Sequence, residues 1–406
     1  MQKFEKHSPV VVTEVTTKHE LRQFMQYPNR LYADNPNYIP SFYGDDLSDW
    51  TPGKNPAFDY CEARCWLAWR DGEIVGRIGA ILSHKANDKF GTHRMRFSQV
   101  DFVDDSEVSA ALFGMVERWA REKGCDQVHG PLGFTDMDRE GMLVEGFDRR
   151  SLFFTNYNAP YYLEHLTRLG YRKDVDWIEY RITVPAPGSA EAERLHKLSE
   201  FILKRKNLHV ATVHHKSEYG PFVRQVFELV NAAYAPLYGV VELSDEQIER
   251  YANKFIPLVD PEFVCFVLDE QDKLVAFGVT ALDPSVALKH SDGRLFPFGW
   301  AGVLNDLHHS DTLIMLLTAV RPDLQTEGIN AVMMDHVCQS CNRHGVQFAE
   351  TGPMLELNDH ILAQWKRLEK EQHKRRRCFI KDLDHDVNAA NAAAAQTETP
   401  ETESAE

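Results

Sequence analysis

Apolar residues recur along this chain with two periods. Every second position marks half-buried strands, and every third or fourth marks amphipathic helices. Residues 313–337, LIMLLTAVRPDLQTEGINAVMMDHV, contain both periods in succession. The apolar run 313–320 predicts a strand and Pro322 breaks it. Ile329, Val332, Met333, His336 and Val337 then trace one helix face. An earlier segment repeats this order. RFSQVDFV (96–103) predicts a strand, and Val108, Ala111, Leu112, Met115, Val116 and Trp119 fall on one helix face. Asp104 is the expected N-cap of that helix, with Glu107 three residues on, and Gly124 is the expected stop. Before each unit lies an alternating hairpin: residues 63–82, turning at Asp71-Gly72, and residues 262–282, turning near Gln271-Asp272.

Further helices are predicted over 21–32, 159–171, 190–206, 222–235, 245–258 and 359–370. Strands are predicted at QVHG, WIEYRITV, GVQFAET and, last, RRCFIKDL. Pro185, Pro187 and Gly188 interrupt the chain at ITVPAPGSAEAE. We place a domain boundary there, giving residues 1–185 and 186–383. Each half reads helix, hairpin, strand, helix, strand, helix, strand, which is a topological repeat without an obvious sequence repeat. The tail, 384–406, is low-complexity and expected to be disordered.

Length and charge narrow the functions. The 406 residues carry a net charge of −16. The tail contributes six acids and no Lys or Arg, so residues 1–383 still carry −10. An acidic body disfavours a nucleic-acid groove as the main function. No apolar run reaches the length of a membrane span, and the N-terminal residues lack a signal-peptide core. Seven scattered cysteines read as reduced thiols. A cytoplasmic protein is expected, with peripheral contact to the inner membrane left open.

The element order, together with GEIVGRIGA in the first half and VRPDLQTEGINAVMM in the second, resembles the GNAT acyltransferase superfamily. The implied fold is α/β (α+β): two tandem GNAT-like domains, each a mixed, mostly antiparallel sheet flanked by helices. In that family a central strand runs into a Q/R-x-x-G-x-G/A loop that opens a helix, and the loop amides hold the pyrophosphate of coenzyme A. Unpaired amides and the helix dipole both favour an anion there. The resemblance therefore assigns acyl-CoA contact to Val320, Arg321, Gln325, Thr326, Gly328, Ile329 and Asn330. Gln325 and Gly328 match the motif. Asn330 replaces a small residue, and Glu327 places an anion at the phosphate position. The first half departs further, because Asp104, Asp105 and Glu107 occupy its helix start, so no coenzyme is expected there. The segment 130–180 is similar to a bacterial tandem-GNAT family, and within it to the bacterial ceramide synthases, which join a long-chain acyl-CoA to a sphingoid base.

Residues 130–148 interleave Gly130, Gly133, Gly141 and Gly146 with Asp136, Asp138, Glu140, Glu145 and Asp148, directly after His129. Aminolysis of a thioester needs a deprotonated amine, a stabilised oxyanion and a proton for the leaving thiolate. Glu145 or His129 is a candidate acceptor of the ammonium proton. Asp136, Asp138 and Glu140 are candidates to attract a cationic amine; the alternative is a structural loop with solvated acids. Tyr161 and Tyr162 are candidates for the thiolate's acid or for the amine site (Tyr162), with core packing as the competing reading. Glu350, at a strand end beside the expected cleft, reads as a base or a cap. His336, Cys338, Cys341 and His344 lie along one helix, which cannot easily surround a tetrahedral ion, so no metal is expected. The basic run 373–377, HKRRR, reads as a solvated turn or a contact for phosphates or anionic lipid.

The sequence thus points to an N-acyltransferase taking an acyl-CoA and a primary amine. A non-catalytic tandem-GNAT binding protein and an aminoacyl-tRNA-dependent transferase are the alternatives.

Overall fold

The computed structural model describes residues 8–383; the tail 384–406 lies outside the described residues. The strands are β1 (Val11–Glu14), β2 (Cys61–Arg70), β3 (Glu73–Ser83), β4 (Arg94–Phe102), β5 (Gln127–Gly130), β6 (Met142–Glu145), β7 (Arg172–Thr183), β8 (His209–Val210), β9 (Val264–Leu268), β10 (Leu274–Leu282), β11 (Thr312–Val320), β12 (Phe348–Glu350), β13 (Met354–Leu355) and β14 (Lys370–Asp382). They form one mixed sheet in the order β1-β2-β3-β4-β5-β14-β7-β12-β11-β10-β9-β8, with β6 against β14 and β13 against β7. All neighbours are antiparallel except β4 with β5 and β11 with β12. Those two parallel pairs are the equivalent centres of the two halves.

The sheet order reveals an exchange that the linear reading does not contain. β14, the last strand of the second half, pairs with β5 of the first. β7, the last strand of the first half, pairs with β12 of the second. β7 and β14 also pair with each other, from Lys370↔Ile182 to Ile380↔Arg172. Each half's sheet is therefore completed by the other half's closing strand. The boundary near residue 185 marks a strand end but does not separate two self-contained sheets.

The basic run 373–377 lies inside β14, not in a solvated turn. Lys374 and Arg376 are fully buried, as is Glu179 of β7 facing them. Lys374 Nζ is 3.3 Å from Glu179 and 3.1 Å from Glu350, Arg376 also pairs with Glu179, and Arg377 Nε is 2.7 Å from Asp176. Charges so deep are tolerated only when paired. Run composition alone cannot supply that information, because the partners are distant in sequence: Asp176 and Glu179 come from the other half and Glu350 from another strand.

Local signals mostly hold. Thr17 and Glu20 form a reciprocal capping box for helix Lys18–Leu31. Asp71 and Gly72 both have positive φ, as a two-residue hairpin turn requires. Helix Ser106–Glu122 is capped by Asp105, whose carboxylate accepts from the Glu107 amide at 2.8 Å, rather than by Asp104, which pairs with His165 at 3.0 Å. The predicted helix over 359–370 shortens to Asp359–Ala363 and a 3-10 turn, and the chain enters β14 at Lys370.

Candidate active site

β11 ends at Val320, which is buried in the second half's core. A 3-10 turn, Pro322–Leu324, and residues 325–329 then lead into helix Asn330–His344. Gly328 sits at φ +81°, a conformation that costs a side-chain-bearing residue, and a Cβ there would stand 3.1 Å from Ile202. Ile329 is buried and anchors the turn. The amides of Glu327, Ala331 and Val332 close tight turns onto Leu324, Gly328 and Ile329. Among the described residues, the amides of Thr326, Gly328 and Ile329 have no hydrogen-bond partner, and no side chain caps the helix. Free amides at a helix start suit an anion.

The anion at Glu327 is neutralised. Its carboxylate lies 2.7 Å from Lys206, in the last turn of helix Ala190–Lys206, which also carries Lys204 and Arg205. Arg321 is held by Asp323 at 2.7 Å and Asp269 at 3.6 Å, and Gln325 donates to the Val320 carbonyl at 3.3 Å.

Next to this turn the sheet opens. β11 and β12 pair only from Thr312↔Phe348 to Ile314↔Glu350 and then diverge. The gap holds a cavity of about 180 Å³ lined by Asn330, Met333, Cys338, Met315, Thr318 and Trp365, with Tyr234 at its side. The Tyr234 hydroxyl donates to the Thr318 carbonyl at 2.7 Å, and burial raises its pKa. β11 is bulged at this level: its register with β10 passes from Val279↔Leu317 to Thr280↔Met315, leaving Leu316 as the extra residue. Val279, Leu316 and Leu317 also line a second, almost wholly apolar cavity of about 80 Å³ with Phe227, Phe255 and Met137. Met137 belongs to the acidic loop of the first half, so that loop forms part of the wall of this second cavity.

The acidic loop is built, not merely solvated. Asp138 accepts from the amides of Phe134 (2.8 Å) and Thr135 (3.1 Å). Gly133 is required there, because a Cβ would stand 2.2 Å from that of Asp138. Burial pushes Asp136 up to about 6; burial and the nearby Asp49 push Asp138 up to about 6. Burial and Asp136 raise Glu140 well above the carboxylate range. Arg96, a cation acting on Asp136 and Glu140, is bound to the carbonyls of Gly133, Phe134 and Gly239. Asp138 borders a chamber of about 100 Å³ with Asp45, Asp49, Gln99, Arg139 and Lys254, where Lys254 holds Asp49 at 2.7 Å and Arg139 holds Asp46 at 2.7 Å; Met137 and Phe255 are shared with the apolar cavity.

Other sequence candidates fall elsewhere. Glu145 is exposed and pairs with Arg375 at 3.2 Å. Tyr161 and Tyr162 stack in the first half's core, both hydrogen-bonded to the Phe102 backbone, and Tyr162 also to the Tyr32 hydroxyl at 2.8 Å. The packing reading holds for both. Glu350 is tied to Lys374 at 3.1 Å, although its neighbours Ala349 and Thr351 do line the cleft. His129 is buried, and its surroundings, with Arg96 and Arg94 nearby, hold its pKa well below the ordinary value. Its Nδ1 lies 3.0 Å from the Tyr238 hydroxyl, which also meets Asp174 at 2.5 Å and Cys378 at 3.5 Å. His129, Asp174 and Cys378 bring ligand atoms within 4.8 Å of one another, and the phenol bridges all three. Cys338 and Cys341 turn into the cleft lining, while His344 bonds Glu262 at 3.0 Å. Sequence reasoning missed Tyr234, Met137, Asp45 and Asp49, which come from other elements and show no motif.

No protein-family model matches the chain. Among solved structures, it superposes on a tandem GNAT protein from the clavulanic acid biosynthesis pathway with a TM-score of 0.52, covering 92% of this chain and 99% of that one at 14% identity. It also matches a GCN5-related glucosamine N-acetyltransferase region of a fungal multi-domain β-N-acetylglucosaminidase (TM-score 0.53, 11% identity, 92% of this chain), of which it spans 38%. The protein therefore has the tandem GNAT fold. By sequence it is similar to protein YghO of Escherichia coli (strain K12), 27% identical over 383 residues, 92% of this chain and 95% of that one. It is also similar to the bacterial ceramide synthase of Caulobacter vibrioides (strain NA1000 / CB15N), 29% identical over 299 residues, 72% of this chain and 75% of that one.

Proposed function

We propose that this protein is an N-acyltransferase that moves an acyl group from acyl-CoA to the primary amine of a long-chain base. The observation that carries this is the adjacency of three spaces that share walls: an apolar cleft beside the free amides of Thr326, Gly328 and Ile329, an apolar cavity on the far side of the Leu316 bulge, and a chamber bordered by Asp138 that shares Met137 and Phe255 with that cavity. The helix start binds the coenzyme pyrophosphate, and the cleft takes the pantetheine arm and brings the thioester to the bulge. The acidic chamber receives the ammonium group, with apolar surface beside it for the chain. The similarity to a bacterial ceramide synthase supports a sphingoid-type acceptor.

The chemistry follows from the charges. Asp138, near 6 and bordering the chamber, is a carboxylate at neutral pH and is basic enough to take the ammonium proton. The neutral amine adds to the thioester carbonyl, the tetrahedral adduct collapses, and the carbon–sulfur bond breaks to leave an amide and the coenzyme thiolate. Tyr234, protonated and lining the cleft, is the candidate donor of the thiolate's proton. The purified protein should release free coenzyme A thiol from palmitoyl-CoA on addition of sphinganine, with the amide detected by mass spectrometry. No thiol release with any amine, despite coenzyme binding, would leave a binding protein instead.

A further inference from the structure

Between β10 and β11 the second half carries an insertion of two helices, Ser285–His290 and Gly299–His309, joined by a turn. The second helix buries Val303 and Leu307 against the core. Trp300 and Leu304, four residues apart, extend that apolar stripe onto the surface, and both are exposed. Phe296 and Phe298 in the turn before it are each 80% exposed. Large aromatics are among the residues a soluble surface most avoids, and four apolar side chains within nine positions form an unpartnered patch. From residue 293 to 305, GRLFPFGWAGVLN, this chain of net charge −16 has no carboxylate; its one charge is Arg294.

The patch adjoins a groove that shares a wall with the chamber. Leu295 and Phe296 line an open groove of about 1,040 Å³ together with Phe42, Asp45, Lys254 and Leu258, and these last four also line the acidic chamber. We propose that Phe296, Phe298, Trp300 and Leu304 insert into the surface of a lipid bilayer containing anionic head groups, and that the groove beneath them admits an amphipathic amine from the bilayer. Aromatic side chains suit the boundary between head groups and acyl chains, and Arg294, the one charge between Asp292 and Asp306, offers a cation to anionic lipid. No helix among the described residues is long and apolar enough to cross a membrane, so the contact is with the surface. The use of the groove rests on the acyl-transfer reading above; the contact does not.

Flotation with vesicles tests this without acyl-CoA or amine, so failed turnover and failed membrane contact are read separately. The full chain should float with phosphatidylcholine–phosphatidylglycerol vesicles. The variant Phe296→Ser/Phe298→Ser/Trp300→Ser should bind at least about tenfold more weakly. Leu357→Ser, which removes an equally exposed leucine elsewhere, should bind as the parent does. If the triple variant melts early, Phe296→Ser and Phe298→Ser taken singly carry the test. A parent chain that floats with neither anionic nor neutral vesicles overturns the proposal, as does a folded triple variant that floats like the parent. A concentration-dependent dimer that the triple variant abolishes, without vesicle binding, would assign the face to a second copy and overturn it too.

Discussion

The two halves run the same course from central strand through turn to helix, yet among the described residues the second opens a cavity beside that helix start and the first fills the equivalent space. In the first, Asp105 caps the helix, and Arg70 reaches from β2 to Asp105 at 2.6 Å and Glu107 at 2.7 Å. Behind them Phe97, Phe113 and Tyr171 meet with ring centroids 5.1 to 5.7 Å apart and fill the space between helix and sheet. In the second, the helix start has no cap, three amides are free, and Met, Cys and Thr side chains line a cavity instead. Both central strands keep an irregularity: Gln99 at φ +46° in β4, and the Leu316 bulge in β11. Topology and strand distortion are therefore shared. Binding capacity separates on the charge at one helix start and on side-chain volume beneath it. The first half is specialised differently, since its acidic loop walls a cavity of its neighbour through Met137.

Five substitutions sharpen this contrast. Phe113→Ala should unplug the first half at a cost of about 3–5 kcal/mol in stability, read by chemical denaturation, yet create no second coenzyme site, because the Asp105 cap remains. Gly328→Glu forces a side chain into a left-handed backbone and adds an anion beside the free amides. Acyl transfer should fall at least about 100-fold while the far-ultraviolet spectrum is retained.

Asp138→Asn keeps an acceptor for the Phe134 and Thr135 amides but removes the base. We expect kcat/KM to fall about tenfold or more. The parent's rise in kcat/KM through pH about 6 should flatten if Asp138 provides that limb. Asp136→Asn tests stability. A carboxyl held at about 6 in the folded chain is ionised there only at a cost, so its contribution is fully present below the unfolded value of about 4 and lost as pH rises through 6. The variant should match the parent near pH 4 and exceed it at pH 8 by about 1–2 kcal/mol. The smallest effect is expected of Glu327→Gln, which frees Lys206 for the coenzyme phosphates and should tighten donor binding about threefold by calorimetry.

Much of this architecture was legible because it is local. The hairpin at Asp71-Gly72, the strand–turn–helix at Gly328 and the glycine-interrupted acidic loop all carry their signals in adjacent residues. The pattern marks Asp136 and Asp138 as amine-site candidates, and the loop packs against the second half at the apolar cavity through Met137. What stayed hidden depends on distant partners. The charged run of β14 looks solvated until Glu179 and Glu350 are placed opposite it, and the exchange of β7 and β14 has no local signature. Tyr161 and Tyr162 show the converse: their position in the helix suggests chemistry, but Phe102 and Tyr32 bind their hydroxyls inside the core.

The central claim is that one half, and only one, holds the acyl donor. Calorimetric titration of the purified chain with palmitoyl-CoA measures this directly, through the number of sites per chain. The account predicts one site, lost when Cys338→Phe fills the cleft of the second half. Two sites per chain, or one site that survives Cys338→Phe in the folded variant, would contradict it.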